Sequence, residues 1–173
     1  MNERLVVRTA AELDRPLVIG REAYTSRDYA RAERKRLFHK VWLQAGRLED
    51  LPAVGDYLTF AVAEDSVIVL RDDNGLRAFH NVCPHRGRRL VDVPPGQRSA
   101  RGHRRGFVCG YHGWSFDLAG RNTYAPHEDD WQGCLGKRAD LGAVAVDTWG
   151  GWIWLNLDGE AGPLRDYLEP AAT

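Results

Sequence analysis

The chain lacks several features that would assign its 173 residues to a common functional class. It has no net charge, with 24 basic and 24 acidic residues, which argues against a dedicated nucleic-acid or membrane-surface binder. No apolar run approaches about 18 residues, so no membrane-spanning helix is predicted. The first residues are too charged for the apolar region of a signal peptide. We therefore expect a cytoplasmic protein that binds neither nucleic acid nor membrane.

Cysteine is scarce as well. The chain has three cysteines, Cys83, Cys109 and Cys134, and a small odd count excludes a disulfide framework. In a reducing compartment, thiols are more often metal ligands or core residues. For Cys134, which stands alone, we predict a buried free thiol.

The apolar content, 43%, is sufficient for one globular domain. Ser26 can cap a helix over residues 27–40, whose basic face we expect to be solvated: Arg31, Arg34, Lys35 and Arg36. From Gly55 onward, short strands alternate with turn signals such as Asp73-Asn74-Gly75, which predicts a small, mostly β sandwich or barrel. The predicted strands cover residues 56–62, 66–70, 76–82, 107–108, 114–117, 144–148 and 151–157.

Two short motifs each combine a thiol with an imidazole. They read CPHRG at residues 83–87 and CGYHGW at residues 109–114, and they offer four metal-ligating side chains: Cys83, His85, Cys109 and His112. Each motif follows a predicted strand and contains glycine, which lets the backbone approach a bound group. The motifs suit a structural zinc ion held by Cys₂His₂ or a Rieske [2Fe–2S] cluster, in which two histidines replace two cysteines on one iron. We favour the cluster, because loops that each mix Cys with His can clamp both irons; incidental core residues are the third interpretation.

The paired motifs resemble the Rieske signature of the α subunits of ring-hydroxylating oxygenases. Further segments are similar to the N-terminal domain of that family: residues 38–42, 55–57, 69–72, 78–82 and 149–157. The resemblance implies a Rieske-type antiparallel β-sandwich or barrel over residues 46–160, with cluster loops at about 83–88 and 109–114. It also implies an N-terminal helical arm over residues 1–45 and, at 161–173, a linker toward a catalytic domain that this chain lacks.

The resemblance also implies roles for the residues of the two loops. Cys83 and Cys109 would hold one iron and His85 and His112 the other, with support from Arg86, Gly87, Tyr111, Gly113 and Trp114. Two ferric ions, two sulfides and two thiolates sum to zero charge, so reduction is easier than for an all-cysteine cluster. Electron transfer should be coupled to protonation of the histidines. The cysteines that bridge the loops in respiratory Rieske proteins are absent, since Arg88 and Tyr111 occupy their positions, and we expect a potential near the low end of the Rieske range.

By the same resemblance, the chain is part of an oxidoreductase system. It would take electrons from a reductase or ferredoxin and pass them to a mononuclear Fe(II) held by two histidines and a carboxylate. After His112 the chain has only His127, so we place that iron in a catalytic domain, joined in cis or supplied in trans, and we interpret the acidic loop at His127 (Glu128, Asp129, Asp130) as surface. The resemblance extends to a homotrimer of the full α subunit.

Two other functions stay open: a freestanding Rieske ferredoxin-type electron carrier and a zinc-stabilised interaction module. The helical arm and the tryptophan-rich segment 149–154 favour the oxygenase domain over a compact carrier. Seven arginines near and between the motifs face a single acid, Asp92, and indicate either a solvated loop or a docking surface for an acidic electron donor: Arg86, Arg88, Arg89, Arg98, Arg101, Arg104 and Arg105.

Overall fold

The computed structural model describes residues 19–128, 139–169 and 171. Within them the fold is mostly antiparallel β, as the strand pattern predicts. The helices are α1 (Glu22–Thr25), α2 (Arg27–Glu33), a π-helical segment (Arg34–Phe38), a 3₁₀ turn (Leu48–Asp50) and α3 (Leu164–Leu168). No helix in the described ranges is long and apolar enough to cross a membrane.

The strands of the described residues form two antiparallel sheets. The larger has the order β1-β10-β9-β4-β3-β2-β5 and the smaller has the order β6-β7-β8. Their bounds are β1 Leu43–Arg47, β2 Asp56–Val62, β3 Asp65–Asp72, β4 Gly75–His80, β5 Arg101–His103, β6 Phe107–Val108, β7 Ser115–Phe116, β8 Asn122–Tyr124, β9 Ala143–Trp149 and β10 Trp152–Asn156.

Every predicted strand is present within a few residues, but β1, β5 and β8 were not predicted. The three residues of β5 are all exposed, and each is polar or glycine, so they show no alternation of apolar and polar side chains that would predict a strand. The register of β1 against β10 shifts between Gln44 and Gly46, which interrupts its pattern. These strands form because β2, β7 and β10 offer backbone partners, which a single-strand pattern does not reveal.

The central strands are buried on both faces. Ile68 and Leu70 of β3 pack into one hydrophobic core, and Val67 and Val69 pack into another, which explains the unbroken apolar run. The first, which we call the loop-side core, joins β2–β4 to the small sheet and to both motifs; among its members are Tyr57, Phe79, Cys83, Cys109, Phe107 and Trp114. The second core is closed by Ile153 and Leu155 of β10. The motifs therefore lie over one face of the curled sheet.

The helical arm differs from its prediction in two respects. The Ser26 hydroxyl accepts a hydrogen bond from the Tyr29 N–H at 3.3 Å, which confirms the cap. The α-helix, however, ends at Glu33 and continues as the π-helical segment to Phe38. The expected solvated basic face is wrong for Arg34, whose guanidinium bonds to acids of the β2–β3 turn.

The C-terminal segment packs against the domain. The Trp42 indole N–H donates to the Gly162 carbonyl at 3.3 Å, Lys40 pairs with Asp158 at 2.7 Å, and Leu164 of α3 is buried. Residues 161–173 thus contain a short helix. That they lead to a catalytic domain, and that the arm and the Rieske unit divide near residue 45, stay predictions.

Candidate metal centre

The two motifs fold into loops with the same backbone hydrogen bonds. In the first loop, the Cys83 N–H donates to the Arg88 carbonyl at 2.8 Å, and the Gly87 N–H donates to the Cys83 carbonyl at 2.9 Å. In the second loop, the Cys109 N–H donates to the Trp114 carbonyl at 2.8 Å, and the Gly113 N–H donates to the Cys109 carbonyl at 3.0 Å. Each cysteine therefore opens a tight turn of the same length.

A glycine at the same place in each loop makes this turn possible. Gly87 and Gly113, each four residues after its cysteine, have the same backbone angle, φ +72°. That left-handed region favours glycine, because a side chain would clash with its own backbone there. The difference between the motifs lies inside the turn, where histidine is the third residue of the first loop and the fourth of the second.

The four predicted ligand side chains come together between the loops. Cys83 and Cys109 are 1% and 3% exposed, both carry free thiols, and they interact with each other. The imidazole rings of His85 and His112 lie with their centroids 4.9 Å apart. The cysteines form the floor within the loop-side core, whereas the histidines are half-buried and lie nearer to solvent. The result is one pair of thiols and one pair of imidazoles.

An aromatic ring lies against each histidine. Trp114 is buried and stacks parallel to His85, with ring centroids 4.9 Å apart and an interplanar angle of 3°. Tyr111 stacks on His112 at 3.7 Å but is itself 58% exposed. Trp114 therefore covers its histidine from the core, while Tyr111 covers the other from the solvent side.

Burial favours the neutral His85 imidazole that metal binding requires, but it disfavours the Cys83 thiolate. Burial raises the pKa of the Cys83 thiol, and the Cys109 thiol raises it further, against the backbone N–H groups of His85 and Arg86 that lower it. Burial also lowers the pKa of the His85 imidazole, assisted by His112 and Arg86. A neutral imidazole is the form that binds metal, and a thiol that binds metal releases its proton.

One buried nitrogen lacks a protein partner. The Nδ1 atom of His112 is buried and forms no hydrogen bond, which is unusual for a polar atom away from water. A Cys₂His₂ zinc site would gather four donors around one ion. In the part of the chain that the structure describes, no three His, Cys, Asp or Glu side chains are placed to hold a single metal ion. A two-iron cluster needs only two protein donors at each iron, and this arrangement fits that need better.

The arginine-rich surface near the loops is partly neutralised. Arg88 pairs with Asp92 at 2.5 Å as the sequence suggests, but Arg101 pairs with Asp50, an acid outside the stretch. Arg104 lies over the Tyr57 ring at 5.4 Å. Arg86, Arg89, Arg98 and Arg105 are exposed as well; Arg89 lines a cavity with Val82, and Arg105 lines another with Val108.

Two other predicted features involve residues outside the two motifs. His127 has a left-handed backbone, φ 57°, in a loop whose next acids, Asp129 and Asp130, are outside the described residues. Cys134 also lies outside the described residues, so its burial stays a prediction.

Sequence reasoning missed Asn81, which organises the first loop. Its buried side chain accepts hydrogen bonds from the N–H groups of Leu90 and Val91 at 3.1 and 2.9 Å and donates to the Val91 carbonyl at 2.7 Å. The available signal was a polar residue at the end of an apolar strand, two positions before Cys83.

The family model described as "Rieske [2Fe-2S] domain" matches residues 41–146, which include both motifs. The chain belongs to the Rieske [2Fe–2S] domain family. A Rieske cluster is held by two cysteines and two histidines, and two thiols, two imidazoles and an unpartnered ring nitrogen meet at one place in this chain. Neither zinc binding nor an incidental arrangement is supported.

The Rieske domain is similar in sequence to large subunits of aromatic dioxygenases. The large oxygenase component of the naphthalene 1,2-dioxygenase system of Pseudomonas putida is 41% identical over 147 residues, which cover 81% of this chain and 31% of that relative. The α subunit of biphenyl 2,3-dioxygenase from Rhodococcus jostii is 36% identical over 151 residues, which cover 86% of this chain and 31% of that relative. The chain thus spans about a third of the length of these relatives.

Solved structures give the same result. A naphthalene 1,2-dioxygenase variant bound to phenanthrene superposes with a TM-score of 0.76 at 40% identity, covering 86% of this chain and 33% of that one. A quaternary ammonium Rieske monooxygenase in complex with an inhibitor superposes with a TM-score of 0.79 at 28% identity, and the match covers 90% of this chain and 42% of that one. The predicted fold class and the resemblance to oxygenase α subunits are therefore confirmed.

Proposed function

We propose that this Rieske domain is the electron-transfer part of a ring-hydroxylating oxygenase, with Cys83 and Cys109 on one iron and His85 and His112 on the other. The observation that carries the proposal is the pair of matching loops, which bring two thiols and two imidazoles together above the loop-side core. When bound, a [2Fe–2S] cluster accepts and releases single electrons.

The residues of the chain supply three conditions for that chemistry. The two cysteines are buried in the loop-side core, which excludes water from the sulfur side of the site. Trp114 and Tyr111 hold the imidazole rings in fixed orientations by stacking. The half-buried histidines lie nearest to solvent, so they are the natural place for a proton to arrive or leave as the charge of the centre changes.

The remainder of the oxygenase belongs to the same proposal. The relatives are about three times as long as this chain. We infer that a catalytic domain with a mononuclear iron, in cis or in trans, receives the electrons. A homotrimer of the full α subunit stays a prediction, and so does the cytoplasmic location.

A surface beside the loops supports an acidic electron donor as partner. Val82 and Val108, each directly before a predicted ligand cysteine, are exposed; Arg89 lines a cavity with Val82, and Arg105 lines one with Val108. Exposed apolar side chains beside arginines suit a partner of complementary charge, because the charges accelerate encounter.

The test of the cluster is electron paramagnetic resonance of anaerobically purified, dithionite-reduced protein, with iron and sulfide counted in the same sample. We expect a rhombic signal and about two irons per chain. Cys109→Ser should lose the cluster, whereas Thr148→Ser, at an exposed position of β9, should retain it. A Cys109→Ser protein with full iron and sulfide contradicts the ligand assignment, and stoichiometric zinc in an otherwise silent wild-type sample contradicts the function.

The donor surface has a separate test. Arg105→Glu should slow reduction of the domain by a dithionite-reduced plant-type ferredoxin at least about twofold at low salt, and the difference should vanish at high salt. Arg165→Glu, on α3, is the matched control and should match wild type. Equal rates for the two variants contradict docking at this surface.

A further inference from the structure

The helical arm is attached to the β2–β3 turn by an ion-pair cluster. The Arg34 guanidinium donates through Nε and Nη2 to both carboxylate oxygens of Asp65, at 3.0 and 2.8 Å, and through Nη1 to Glu64 at 2.6 Å. The His39 Nε2 atom lies 2.6 Å from the same Asp65 carboxylate. Arg34 and Asp65 are 30% and 17% exposed, so this is a largely covered, bidentate contact, unlike an ordinary surface pair.

The acid that receives the arm begins a chain of hydrogen bonds toward the first cluster loop. Asp65 starts β3, and its neighbour Ser66 makes two bonds to Asn81. The Ser66 carbonyl accepts from the Asn81 N–H at 2.8 Å, and the Ser66 hydroxyl accepts from the Asn81 side-chain amide at 3.1 Å. Asp65 is therefore linked, through the adjacent Ser66, to Asn81, two residues before Cys83.

Asn81 closes the base of that loop. Its side chain bonds the main chain of Leu90 and Val91, nine and ten residues later, so the segment between them is fixed at both ends. Within the segment, Cys83 and His85 are held by the turn already described. The second loop has a different support, since it is the connection between the paired strands β6 and β7.

We propose that Arg34 and Asp65 are positioning residues for the first cluster loop, and that the arm, acting through Ser66 and Asn81, holds Cys83 and His85 in their ligating geometry. Two loops with the same backbone geometry are stabilised by different elements, and only the first is connected to the arm through these bonds. The role of Cys83 and His85 as ligands rests on the proposed function, whereas the support of the first loop by the arm does not.

The test compares two arginines of the arm. Arg34→Met removes the bidentate part of the attachment and leaves the His39 contact. Arg31→Met is the matched control, because Arg31 is in the same arm and forms an exposed pair with Asp28. Hydrogen exchange of the full chain is followed by mass spectrometry in peptides covering residues 82–91 and 107–116. We expect exchange in the first segment to accelerate at least about threefold in Arg34→Met, with no change in the second and none in either segment for Arg31→Met.

A second readout follows the ligands. In cluster-loaded protein, Arg34→Met should release iron to a chelator at least about threefold faster than Arg31→Met, and it should alter the line shape of the reduced resonance signal, which a general loss of stability would leave unchanged. Arg34→Lys keeps the charge but loses the two-pronged contact, and its values should lie between those of wild type and Arg34→Met.

Three results would overturn the inference. They are equal acceleration in both loops, which is a global effect; no acceleration in either loop; and faster exchange in the first loop without faster iron release. If Arg34→Met is too unstable to purify, Arg34→Lys carries the same comparison alone. A wild-type protein that binds no iron refutes the proposed function, while the exchange comparison still decides whether the arm supports the loop.

Discussion

Replacing Asn81 by leucine tests how the first loop is held. Leucine has nearly the same shape but can neither donate nor accept a hydrogen bond. The substitution removes four bonds, with lengths from 2.7 to 3.1 Å, that join the Asn81 side chain to Ser66, Leu90 and Val91. Asn81 is 2% exposed, so no water replaces the lost partner without movement of the chain.

The expected cost follows from the groups left without partners. The N–H groups of Leu90 and Val91 and the Val91 carbonyl stay in a buried place, and each unsatisfied group costs about 1–3 kcal/mol. The three together set a range of about 3–9 kcal/mol. Because the loop can shift to admit water, we expect a cost in the lower part of this range, a loss of about 3–5 kcal/mol in the free energy of unfolding.

The assay is urea unfolding, followed by tryptophan fluorescence and by cluster absorbance in the same anaerobic samples. A single free energy describes the transition if the two curves coincide and both signals recover on removal of urea. Asn74→Ala is the control, because Asn74 is exposed in the β3–β4 turn, and its change should stay within about 0.5 kcal/mol. A cost below about 1 kcal/mol for Asn81→Leu, with an unchanged slope, would refute the reasoning.

Three further predictions concern the loops and the arm. Gly113→Ala should destabilise the protein more than Gly87→Ala in urea unfolding. Both glycines have φ +72°, but only at Gly113 would the new Cβ lie 3.3 Å from the ring of Pro126. Equal losses of unfolding free energy would contradict this reason. Burial raises the pKa of Asp65, but hydrogen bonds from Arg34 and His39 outweigh burial and lower it. Folding stability should therefore fall as pH drops below about 4, and Asp65→Asn should flatten that fall in acid titrations; an unchanged pH profile would count against the pair. His85→Cys adds a negative charge and should lower the reduction potential in spectroelectrochemistry, and an unchanged or higher value would count against His85 as a ligand.

The motifs were readable from the sequence because metal ligation requires particular side chains at short range. Cys83 and His85 are separated by one residue, so a local turn suffices to direct both at one site. The strand alternation around Tyr57 and Leu58 was readable for a similar reason, since successive residues point to opposite cores. In such places the physical cause and the pattern lie within the same few residues.

Other features depend on partners that are distant along the chain. Arg34 looked like any solvated charge on a basic helix face, and only the placement of Asp65, 31 residues later, makes it an attachment point. Strand β5 exists because β2 leaves an edge to which it can bond.

The sequence by itself therefore determined the mostly β class, the two ligand motifs and the Rieske family, because local spacing and residue chemistry are sufficient for these. Tertiary structure alone decided that both loops share one backbone geometry, that aromatic rings cover the two histidines from opposite sides, and that Asn81 closes the first loop. Those contacts join residues from different strands, and their energies depend on burial that arises only once the sheet has curled around its two cores.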